Sequence, residues 1–102
     1  MNIQEYHKLV DVLFDELSDF YDNVDGVAEV DLDNKFLQVV ISQSQIFLLN
    51  KNEVSQEIWY SSPVSGGHKF VLDPKSHVWN NSYGDELVSL LKKEVTILTI
   101  DN

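Results

Sequence analysis

The chain of 102 residues predicts an α+β fold. The expected architecture is a two-layer α/β sandwich, with two terminal helices packed on one face of an antiparallel sheet of about six strands, in the order α-β-β-β-β-β-β-α. Three observations predict it. Apolar residues recur at helical spacing only at the two ends of the chain. Between the ends, short stretches alternate apolar and polar residues and are punctuated by turn formers. The connections are too short for helical crossovers, so successive strands pair antiparallel, and two amphipathic helices can cover one sheet face while the other meets water.

The first helix carries Ile3, Tyr6, Val10, Leu13, Leu17, Phe20 and Val24 at alternating steps of three and four, an apolar stripe of about six turns. Asp11, Asp15 and Asp22 fall in a narrow arc on the opposite side with Asp19 beside them, and Asp25-Gly26 ends the helix. Ala28, Val30 and Leu32 then alternate with Glu29, Asp31 and Asp33, which predicts a half-buried strand with three acids on its solvent face. Asn34-Lys35 turns into a second strand over 36–41, and the polar run 42–45 leads to a third over 46–50. Strands over 57–61, 68–72 and 77–80 follow, separated by Pro63, Gly66-Gly67 and Asp73-Pro74. From near Asp85, Leu87, Val88, Leu90, Leu91, Val95 and Leu98 form the second helical stripe. Acids at its start and Lys92-Lys93 towards its end complement the helix dipole.

Composition narrows the function. The chain has 17 acidic residues against 7 lysines and a formal net charge of -10. Such a surface repels nucleic-acid phosphates and anionic membranes and attracts cations and basic protein patches. With no cysteine, disulfides, thiolate metal sites and a cysteine nucleophile are all excluded. No apolar run approaches the roughly 20 residues of a membrane span. The acidic amphipathic N-terminus is unlike a signal or transit peptide, so a single cytoplasmic domain is expected.

Two constellations stand out. Nine carboxylates (Asp11, Asp15, Glu16, Asp19, Asp22, Asp25, Glu29, Asp31 and Asp33) crowd residues 11–33 with no lysine among them. Carboxylate oxygens are hard ligands for Mg²⁺, Ca²⁺, Mn²⁺ and iron ions, and without a cage they bind weakly because water competes for every position. His7, one turn before Asp11, can share a face with it and is a tenth candidate ligand. The plain alternative is a solvated helix face beside an ordinary strand exterior. The second constellation is Glu57 to Ser61, where Ile58 and Tyr60 alternate with Glu57, Trp59 and Ser61. One register points Trp59 outward as a protein-binding anchor, and the other buries it. No enzyme constellation emerges: Ser61, Ser62 and Ser65 lack a G-x-S-x-G context, and His68 and His77 lack a metal-ligand spacing.

The acidic first helix and strand, Asn50-Lys51, Ile58-Trp59, Ser61-Ser62-Pro63, Ser65-Gly66 and the closing helix follow one order. In that order, over essentially the whole chain, the sequence resembles the frataxin family. It is most similar to the bacterial CyaY branch, with some resemblance to mitochondrial frataxin. It departs from the family pattern at Val54, at Asn34-Lys35 and at Lys69, where the mitochondrial branch tends to have arginine. The resemblance implies an iron-binding regulator or adaptor of iron–sulfur cluster assembly in the bacterial cytoplasm. It would hold Fe²⁺ or Fe³⁺ weakly on the acidic ridge and dock to cysteine desulfurase and its scaffold protein. By the same resemblance Asn50, Lys51, Trp59 and Lys69 would lie on a partner-facing sheet surface, and the protein would be a monomer able to form iron-dependent oligomers. Two other readings compete: a ferroxidase oxidising Fe²⁺ at the ridge, and an iron-blind acidic module that only neutralises a basic partner.

Overall fold

In the computed structural model, residues 1–100 are described. Helix α1 (Ile3–Tyr21) is followed by strands β1 (Glu29–Leu32), β2 (Phe36–Ser42), β3 (Gln45–Asn52), β4 (Glu57–Ser62), β5 (Gly66–Leu72) and β6 (Trp79–Asn80), then by helix α2 (Leu87–Thr99). The strands lie in chain order in one antiparallel sheet. Both helices pack on the same face, burying Leu37, Val39, Phe47, Leu49, Ile58, Tyr60 and Phe70. Alternate residues of each strand therefore point to the open face.

Helix α1 starts where Asn2 accepts the Glu5 backbone N–H at 2.8 Å and donates to the Glu5 carboxylate at 2.7 Å, a cap satisfied in both directions. Its buried stripe is Tyr6, Val10, Phe14, Leu17 and Tyr21. The expected stripe used Leu13 and Phe20 instead. The reason is geometric: steps averaging 3.5 residues drift about 20° per seven residues around a straight helix, so a rigid sheet cannot meet them all. The path through Phe14 and Tyr21 stays under the helix. Leu13 is half-buried, and Ile3 and Phe20 are exposed. Phe20 is partly covered by the Lys92 ammonium of α2, 4.9 Å from the ring centre. The helix ends at Tyr21, about one turn earlier than the stripe suggested.

At the other end of the sheet, β6 is only Trp79–Asn80. His77 adopts a positive φ of 59 in a turn closed by its N–H on the Asp73 carbonyl at 2.8 Å, so residues 77 and 78 cannot extend the strand. Helix α2 is capped by the Glu86 carboxylate, which accepts the Val88 and Ser89 N–H groups. Lys92 and Lys93 sit mid-helix, and no basic residue occupies the last turn, so the cap rather than the expected charge gradient secures this helix. Glu94 lies on its buried face at 3% exposure and accepts the Tyr60 hydroxyl at 2.7 Å. Burial, and then that carboxylate, push the Tyr60 hydroxyl pKa up. Gly26, at φ 92, is in contact with the end of α2, and a Cβ there would come within 2.9 Å of the Thr99 side chain. That close approach ties the α1–β1 loop to the second helix.

Candidate functional site

Two surfaces carry the residues singled out in the sequence. On the helix layer, Asp11, Asp15, Glu16, Asp19 and Asp22 are exposed, and Asp25 follows in the loop. They do not form one continuous strip. Asp11, Asp15 and Asp33 line a cleft of about 270 Å³ between α1 and the β1–β2 hairpin. Glu16 lines a different groove, beside Leu13, Trp79 and Glu86. Glu29 and Asp31 pair with Val40 and Gln38, out of phase with the core pair Val30–Val39. They therefore lie on the open face of the edge strand, round the corner from the α1 acids. Asp33 is committed to the hairpin itself, accepting the Lys35 and Phe36 N–H groups at 2.7 and 3.0 Å, an Asx turn.

The tertiary fold also supplies a base that the run 11–33 lacks. Lys51 shares the register of the buried Leu49 on β3, which sends its side chain under α1. Its Nζ lies 2.6 Å from Asp11 Oδ1 and 3.0 Å from His7 Nδ1. An ammonium only donates, so His7 Nδ1 accepts and the ring proton sits on Nε2. That nitrogen faces Glu53 at 3.4 Å. The residue expected beside Trp59 on the sheet surface thus lies on the opposite face and neutralises the first acid of the ridge. His7, expected as a metal ligand, has both ring nitrogens engaged.

The open face holds the second surface. Trp59, 41% exposed, is flanked by its cross-strand partners Asn50 on β3 and Lys69 on β5. Its indole is held from two directions. The Nε1–H donates to Glu57 Oε1 at 2.9 Å, and the Lys69 ammonium lies 4.9 Å from the ring centre, within cation–π range. The Trp59 N–H, and then the Ser55 hydroxyl, hold the Glu57 carboxyl below the usual range. These side chains form one wall of a groove of about 870 Å³, whose other wall includes Asn81 and the largely exposed Tyr83. The alternation places Glu57 on the same face as Trp59, but does not reveal its hydrogen bond to the indole. The contacts of Lys51 and Glu53 give no such signal, their partners Asp11 and His7 lying forty or more residues away.

A third array resembles a hydrolase triad in composition only. His68 Nε2 lies 2.8 Å from Ser65 Oγ, and its Nδ1 lies 3.2 Å from Asn81 Nδ2. The Asn81 amide is oriented by its oxygen, which accepts the Tyr83 and Asp85 N–H groups. Its nitrogen therefore donates to Nδ1, leaving His68 Nε2 protonated and donating to Ser65. A base with its proton already on that nitrogen cannot activate the serine.

For iron, the donor set is carboxylate oxygen, which suits hard cations. Among the described residues no three His, Asp or Glu side chains converge closely enough to cage an ion. Exposed acids such as Asp15, Asp19 and Asp22 fit a weakly held cation that keeps most of its water.

The family pattern of the Frataxin-like domain matches residues 1–99. The mitochondrial frataxin of Arabidopsis thaliana is 34% identical over 82 residues, 74% of this chain and 43% of that protein. The mitochondrial frataxin homolog of Schizosaccharomyces pombe is 30% identical over 96 residues, 88% of this chain and 61% of that one. The chain thus spans about half the length of these relatives. Among solved structures, frataxin from Psychromonas ingrahamii superposes with a TM-score of 0.80 at 19% identity, covering 94% of this chain and 90% of that chain. Trimeric frataxin from Saccharomyces cerevisiae, complexed with ferrous iron, superposes with a TM-score of 0.72 at 26% identity, covering 93% and 85%.

Proposed function

The chain belongs to the frataxin family, and from that premise we propose that it is an iron-binding regulator and adaptor of iron–sulfur cluster assembly, acting on cysteine desulfurase and its scaffold protein. The observation that carries the proposal is the separation of two surfaces on one small domain. Carboxylates of α1 lie on the helix layer, and a tryptophan held by Glu57 and Lys69 stands on the open sheet face. A rigid, partly exposed aromatic beside a groove is the type of anchor that dominates protein interfaces. The acids offer exchangeable oxygen ligands without a closed coordination shell, which suits iron that must be released again. The ferrous-bound yeast relative supports iron as the cation, and its trimeric form supports an ability to form oligomers.

The test is an anaerobic NMR titration, first with Fe²⁺ and then with the desulfurase and scaffold proteins. Iron should perturb α1 at Asp15, Asp19 and Asp22, and the protein partners should perturb Trp59, Asn50 and Lys69. Catalytic oxygen consumption over many turnovers would instead make the protein a ferroxidase. Partner binding lost at moderate salt, with no response to iron, would make it an iron-blind acidic module.

A further inference from the structure

Lys51 stands where a bound cation would stand. Its side chain is 3% exposed, and its ammonium meets a carboxylate oxygen of Asp11 at 2.6 Å and an imidazole nitrogen of His7 at 3.0 Å. Oxygen and imidazole nitrogen converging on one point are also the donors that a divalent transition metal takes. We infer that Lys51 is a built-in counter-cation. It keeps metal ions off the His7–Asp11 end of the acidic face and confines them to the stretch from Asp15 onward. The inference rests on the reading that this face binds iron, and it adds where on the face the ion can sit.

Three obstacles guard the His7–Asp11 end. A metal that displaced Lys51 from Asp11 would strand an ammonium that has almost no access to water, and leaving a buried charge without its partner is costly. A metal that bound Asp11 without displacing it would place two cations on one carboxylate, and they would repel each other. His7 offers no way round. Ligation through Nδ1 means leaving the lysine, and ligation through Nε2 means giving up the ring proton that faces Glu53 at 3.4 Å. Among the described residues, no ion pair engages Asp15, Asp19 or Asp22, so those carboxylates are open to an incoming ion. The face thus has a closed end and an open end, although its residues look equivalent in the sequence.

Removing the ammonium while keeping an unbranched apolar stem one atom shorter, as in Lys51→Met, leaves His7 Nδ1 and Asp11 Oδ1 converging on a position without a cation. That variant should gain a nitrogen–oxygen site that the natural protein keeps closed.

The experiment uses Zn²⁺ as a diamagnetic divalent probe, NMR of the His7 ring nitrogens and the aspartate carboxyl carbons, and calorimetry for affinity. In the natural chain, Zn²⁺ should shift the carboxyl signals of Asp15, Asp19 and Asp22 and leave those of His7 and Asp11 in place. In Lys51→Met the His7 ring nitrogens should shift on ligation, with affinity raised roughly tenfold or more by loss of the neighbouring positive charge. Shifts of His7 and Asp11 in the natural chain would overturn the inference, as would a folded Lys51→Met whose His7 signals ignore Zn²⁺. If Lys51→Met does not fold, the map of the natural chain decides alone. A natural chain that binds no ion anywhere on α1, beside a variant that acquires the His7 signal, would remove the iron reading and leave the role of Lys51 standing.

Discussion

Lys51 and Lys69 lie on neighbouring parts of the same sheet and treat their charge in opposite ways. Lys51 points to the helix side, 3% exposed and bound to Asp11 and His7. Lys69 points to the open side, exposed, with its ammonium over the Trp59 ring. One cation is closed inside the fold, and the other is available beside an aromatic anchor. The difference is strand parity: Lys51 shares the phase of the buried Leu49, and Lys69 is out of phase with the buried Phe70. The two faces of one sheet therefore divide the work. The helix side stores stability and offers carboxylates at its rim, and the open side stores little and presents contacts.

Alkaline pH should expose that division most strongly. Burial pushes the Tyr6 and Tyr21 hydroxyls up to about 12 and raises that of Tyr60 as well. All three lie between the layers. An unfolded tyrosine ionises near 10, so the unfolded chain releases these protons first. Stability should be complete below about pH 10 and fall as the pH rises towards about 12, by at most about 1.4 kcal/mol per pH unit for each tyrosine. Thermal melts across this range read the loss. A melting temperature that stays flat to pH 12 would mean that the hydroxyls are not sealed between the layers.

The phase of α1 is the next largest effect. Phe14→Ala should cost about 3–5 kcal/mol and Phe20→Ala about 1 kcal/mol or less, because only Phe14 leaves a cavity under the helix. Equal losses in urea unfolding would return the stripe to the one through Leu13 and Phe20.

On the open face the scale drops. Trp59→Ala should cost about 1 kcal/mol or less in stability and weaken binding to the desulfurase–scaffold assembly by about 2 kcal/mol or more. Iron binding should be untouched. A variant that unfolds, or that binds its partners normally, breaks the contrast between a stabilising face and a presenting face.

The smallest effect is local. The Glu57 carboxyl is held low by the Trp59 N–H and the Ser55 hydroxyl, so its contribution is present above the ordinary carboxylate range and is lost as the pH falls through its lowered value. Acidification should move the Trp59 indole N–H resonance in that lower range while the core amides stay fixed. An indole signal that ignores pH would show that Glu57 does not hold the ring.

The order of elements and the α+β architecture were legible in the chain because helices and strands have different periods, and because short loops leave antiparallel pairing as the only neighbour relation. The crowding of acids was legible as composition, and the alternation around Trp59 limited it to two registers. Three things waited for the tertiary structure. Leu13-Phe14 and Phe20-Tyr21 are adjacent apolar pairs, so either member could face inward until a sheet fixed the helix phase. Ile46 to Leu49 is apolar at every position, so alternation could not say on which face Lys51 would emerge. Glu94 falls at helical spacing among apolar residues, and the hydroxyl that satisfies it belongs to Tyr60, thirty-four residues away. In each case local sequence left two orientations of similar energy. The choice came from partners distant along the chain, whose contacts exist only once the helices lie on the sheet.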